Sequence, residues 1–85
     1  MESANQIMIN APIIIEGIAF DVVSDTAKKL LARDLYNPNN KASFVVRGQE
    51  LVLSVSSFCD KSREQALSDA IRINTRMLVD EVQNA

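Results

Sequence analysis

Two apolar runs separated by a glycine constrain this chain more than any other feature of it. Residues 42–47 read Ala-Ser-Phe-Val-Val-Arg, residues 50–57 read Glu-Leu-Val-Leu-Ser-Val-Ser-Ser, and Gly48-Gln49 lies between them. A two-residue loop with glycine first suits a type II′ turn, whose twist matches that of paired strands. Such a turn fixes a register. Arg47 then faces Glu50, while Val46, Phe44 and Ala42 face Leu51, Leu53 and Val55. Those last three pairs share one side and are apolar. The other side carries Val45 against Val52 and Ser43 against Ser54. Side chains alternate along a strand, so a one-residue slip would scramble this segregation. The reading places Phe44, Val46, Leu51, Leu53 and Val55 in the core.

The flanking segments supply the rest of the domain. Residues 13–15 and 18–22 form a second apolar pair around Glu16-Gly17, setting Ile15 against Ile18 and Ile13 against Phe20. Pro12 cannot donate to a central ladder, so it marks an edge, a bulge or a break. The Ile7–Ile9 run before it has no partner strand, and residues 1–5 read as a loose terminus. Ala27, Leu30, Leu31 and Leu35 fall at helical spacing. This predicts a first helix, capped by Ser24 or Asp25 and ended by Asn37-Pro38.

Asp60 or Ser62 caps a second helix that runs to about Val82. Its apolar face is Ala66, Leu67, Ala70, Ile71, Met77, Leu78 and Val82, with Ile73 and Val79 at the margins. Asn74 interrupts that face, and a buried amide needs hydrogen bonds. It finds them across a two-fold axis, as in coiled coils, or escapes to the domain edge by a small rotation of the helix.

The expected order is ββαββα. That is one two-layer α+β domain over residues 1–85, with both helices on one side of a mainly antiparallel sheet. A length of 85 residues supports such a domain with a thin core. The two hairpin-helix halves hint at an internal repeat, although chance likeness of two hairpins is the plainer reading.

Residue counts remove most chemistry. With no histidine, catalytic triads, Cys-His nucleophiles and HExxH metal sites cannot be built. One cysteine allows neither an internal disulfide nor a usual zinc site. Two glycines cannot make a phosphate loop or a dinucleotide fingerprint. The pairs Asp80-Glu81 and Glu64-Asp69 read as a solvated helix face, and the serines from Ser54 to Ser62 have no base. Cys59, at a helix start, is either a reactive thiol or, more plainly, a packing residue. The expectation is a chain that is not an enzyme and takes no cofactor. Asn10, Pro12, Glu16 and Asp21 break the first apolar stretch, so neither a signal peptide nor a membrane span is expected. With a single cysteine, this reads as cytoplasmic.

What remains is binding. Ile14, Val45 and Val52 fall on the side of the sheet away from the helices, and contiguous apolar surface marks a partner. Arg72 and Arg76, one helical turn apart and preceded by Lys61 and Arg63, suit phosphate or an acidic partner. Asp69 and Asp80 lie at spacings that neutralise them. The expected function is a small protein-interaction module, a regulator, inhibitor or adaptor acting as a homodimer. The dimer would form through the apolar sheet side or by strand addition of Ile7–Ile9. The alternative is a nucleic-acid-binding domain using basic residues within 41–76. A net charge of −2 and 5% aromatic residues place it second.

Overall fold

A computed structural model describes residues 11–23 and 28–84. The Ile7–Ile9 run, the caps Ser24 and Asp25, and Ala27 lie outside the described residues.

Five strands form one antiparallel sheet in sequence order: β1 (Ile13–Ile15), β2 (Ile18–Val23), β3 (Lys29–Asp34), β4 (Lys41–Arg47) and β5 (Glu50–Ser56). The one helix among the described residues, α1 (Lys61–Gln83), follows. Glu16 (φ 55°) and Gly17 (φ 74°) both take the left-handed region, as a type I′ hairpin turn requires. Ile15 pairs with Ile18 and Ile13 with Phe20, as the sequence predicts.

The expected first helix is instead β3, so the order is βββββα and not ββαββα. Leu30, Leu31 and Leu35 do sit at helical spacing, but Lys29–Asp34 also alternates. Leu30, Ala32 and Asp34 are buried toward α1, while Lys29 and Arg33 are exposed on the other side. Leu31 on the outer side and Asp34 on the inner one disguise that period of two. Tertiary context decides between the two patterns: β3 is the central strand, laddered to β2 and β4, and good helix formers yield to it.

The hairpin of β4 and β5 keeps its predicted register through Arg47/Glu50, Val46/Leu51, Val45/Val52 and Phe44/Leu53. Past Phe44 the register shifts, so that Ser43 pairs with Val55 and Ala42 with Ser56. Ser54 is the extra residue of a β-bulge. The bulge turns Val55 to the outer side, where it is 62% exposed, against the expectation that it is core.

Helix α1 covers one side of the sheet. Asp60 caps it, its carboxylate accepting from the Ser62 N–H. At its start Arg63 Nη2 donates to the Glu16 carbonyl at 2.6 Å, beside the β1–β2 turn. Near its end Gln83 Nε2 donates to the Gly48 carbonyl at 3.1 Å, in the β4–β5 turn. These turns lie at opposite corners of the sheet, so the helix crosses it diagonally. The diagonal seals Ile18, Phe20, Leu30, Leu78 and Val82 in the core. It leaves the far half of β5 uncovered, and Leu53 is 52% exposed although it was expected to be core.

Asn74 is half-buried at a break in the helix. Its backbone is non-helical (φ −116°, ψ 17°), and its amide donates to the Ala70 carbonyl of its own helix at 3.0 Å. The Thr75 hydroxyl donates to the Ile71 carbonyl in the same way. Side chains that bond back to the preceding turn bend helices. The break resets the helical phase: beyond it Leu78, Val79 and Val82 are buried while Met77 is exposed.

Candidate interaction edge

Two regions outside the core carry polar or apolar groups with unusual settings. The first is a polar clasp where the β1–β2 turn, the β3–β4 loop and the start of α1 meet. Asp34 is 2% exposed and its carboxylate accepts four hydrogen bonds from three donors. The Tyr36 N–H lies 2.9 Å from Oδ1 and the Asn40 amide 3.1 Å from Oδ2. Arg63 Nε reaches both oxygens, at 3.3 and 3.2 Å. Asn40, wholly buried, accepts from the Cys59 N–H at 3.1 Å. Arg63 also stacks over the Tyr36 ring, 4.6 Å from its centroid. Burial alone would raise the Asp34 pKa. The hydrogen bonds from Asn40, Tyr36 and Arg63, with the Arg63 charge, outweigh it and hold the carboxyl below its ordinary value. Every oxygen of Asp34 is satisfied, so the clasp is a fastening and offers no open valence to a ligand.

Strand β5 is the opposite case. It spans seven residues at one edge of the sheet and, among the described residues, pairs only with β4. Its exposed side chains include Val52, Leu53 and Val55, at 43, 52 and 62%. Edge strands normally carry devices against further pairing, such as proline, lysine, inward charges or short length. β5 carries one charge, Glu50, at its first residue, and the Ser54 bulge. Glycine and proline are absent from it.

Each face of β5 borders a depression. On the helix side a groove of about 260 Å³ separates β5 from α1. Phe44, Leu53, Leu67 and Ile71 supply its apolar lining, and Glu64, Ser68 and Arg72 its polar helical rim. On the outer side a trough of about 410 Å³ includes Asp21, Leu31, Ser43 and Val55, which are successive cross-strand neighbours. Asp21 Oδ2 accepts from Arg33 Nε at 2.8 Å, and that bond raises the Arg33 pKa. Asp21 Oδ1 is buried without a hydrogen-bond partner.

The residues singled out from sequence fall in three places. Val45 and Val52 are direct partners on the outer side, next to the β5 edge. Ile14, also exposed, lies on β1 at the opposite edge. Arg72 belongs to the groove rim and is ion-paired with Asp69 at 3.3 Å, both exposed. Arg76 is exposed one turn further on, beside Gln49 and Ile73. Sequence reasoning missed Leu53 and Val55 as surface, because the bulge and the diagonal helix that expose them leave no local signal. It also missed the clasp, whose Asp34 and Arg63 are 29 residues apart.

Among the described residues no group of three or more His, Cys, Asp or Glu is placed to hold a metal ion. No helix among them is long and apolar enough to cross a membrane. No protein-family model, curated protein or solved structure matches this chain.

Proposed function

We propose that this chain is a non-enzymatic protein-interaction module that takes an extended segment of another polypeptide beside β5. The observation that carries this reading is an apolar, seven-residue edge strand with so little to block further pairing. In strand addition, main-chain hydrogen bonds supply affinity, and pockets for alternate side chains supply specificity. β5 offers both. Its free edge provides the ladder, the groove against α1 accepts one side chain of the incoming strand, and the outer surface at Val52 and Val55 accepts the next. The preferred segment is therefore extended and apolar on both faces. Cys59, an exposed free thiol and the only cysteine, suits a reducing, cytoplasmic setting. The nucleic-acid alternative stands second because Asp69 neutralises Arg72, one of the two arginines it would use.

A fluorescein-labelled peptide of the β5 sequence, residues 50–57, tests the reading by fluorescence anisotropy. The wild-type chain should bind it, and Leu53→Lys and Val55→Lys should each abolish binding while the circular dichroism spectrum is kept. Both sites are exposed, so neither charge disturbs the core. No binding, or binding indifferent to both lysines, would refute the reading.

A further inference from the structure

We infer that the segment taken by β5 is β5 of a second copy of this chain, the two copies related by a two-fold axis beside Leu53 and Ser68. This rests on strand addition at β5 and names its partner. Leu53 is the middle residue of Glu50–Ser56. A two-fold rotation there sets Leu53 against the partner's Leu53 and, with Ser54 extra in the bulge, Val52 against the partner's Val55 on the outer side and Leu51 against the partner's Ser56 on the inner one. Glu50 then meets the partner's Ser57, so no like charges are opposed along the strand.

The same rotation acts on the helical rim of the groove. Glu64, Ser68 and Arg72 follow one another at four-residue spacing, which places them on one stripe of α1. The stripe is acidic at Glu64, small and uncharged at Ser68, and basic at Arg72, whose exposed ion pair with Asp69 would be shared with the partner's Glu64. Turned about Ser68, it opposes Glu64 to the partner's Arg72 and Arg72 to the partner's Glu64. A surface that complements itself under a two-fold rotation is what an isologous interface requires. Leu53 and Ser68 line the same groove, so one axis serves strand and helix together. The product is a continuous ten-stranded sheet, five strands from each copy, with both helices on one side.

Sedimentation equilibrium of the intact chain tests this. Wild type should give twice 9.4 kDa at high micromolar concentration. Glu64→Arg or Arg72→Glu alone opposes like charges across the axis and should weaken the dimer about tenfold. The double variant, Glu64→Arg with Arg72→Glu, reverses both ends of the stripe and should restore it. Leu53→Lys should leave a folded monomer. A monomeric wild type, a dimer that survives Leu53→Lys, or a double variant no better than the singles would overturn the inference. If wild type is monomeric yet still binds the labelled β5 peptide through Leu53, the second copy is the wrong partner while strand addition stands. If the peptide fails as well, strand addition falls with it.

Discussion

The sheet has two edges, and they are finished differently. β1 is three residues long, follows Pro12, and runs into a turn whose Glu16 carbonyl is held by Arg63 of the clasp. β5 is more than twice as long, has no proline, and shows apolar side chains on both faces. The helix accounts for much of the contrast. Its start is tied down at the β1–β2 turn, and its diagonal course carries it away from the far half of β5. What secures one edge leaves the other open. The placement of α1 decides which edge can pair.

Removing the clasp should have the largest effect. Asp34→Ala leaves Arg63 and the Asn40 amide without their acceptor in a buried site, and should cost about 3–5 kcal/mol in urea unfolding. Acid should reach the same bond more gently. The Asp34 pKa is lower in the folded chain than its ordinary 3.8, so the carboxylate favours folding above that pH. Its contribution is lost as the pH falls through the depressed folded value. Asp34→Asn should therefore flatten the fall in stability below about pH 4, measured against wild type by urea midpoints.

Next in size is Gly17→Ala. Gly17 has φ +74°, and a Cβ there would lie 2.6 Å from Tyr36 Cε2 and 3.0 Å from Arg63 Nη2. The left-handed backbone alone should cost about 1–2 kcal/mol, read as a lower melting temperature, with Tyr36 and Arg63 displaced as well. At the open edge the effect should be small. Leu53→Ala removes a half-exposed side chain and should change monomer stability by less than about 1 kcal/mol, while weakening self-association. A large stability loss at Leu53 with a small one at Asp34 would invert the contrast between the edges.

The sequence shows both hairpins because their signals are local. Glu16-Gly17 and Gly48-Gln49 set the turns, and the alternation around them sets the register as far as Phe44/Leu53. Helix α1 is equally legible from the Asp60 cap and its apolar period. The failures have non-local causes. Lys29–Asp34 satisfies a helical and a strand period at once, and only the flanking strands choose between them. The Ser54 bulge carries no turn residue to announce it. The exposure of Leu53 depends on a helix whose path is fixed by Arg63 and Gln83, far away in sequence. Val52 was legible as surface because it lies opposite Val45 before the bulge.

Amide hydrogen exchange at the two edges, measured at low and at high protein concentration, tests the central claim most directly. Exchange in Leu51–Ser56 should slow as concentration rises, because the outward N–H groups of β5 gain acceptors from a second chain. Exchange in Ile13–Ile15 should not change. Rates in β5 that are indifferent to concentration, or slowing that falls on β1 instead, would contradict the assignment of β5 as the edge that pairs.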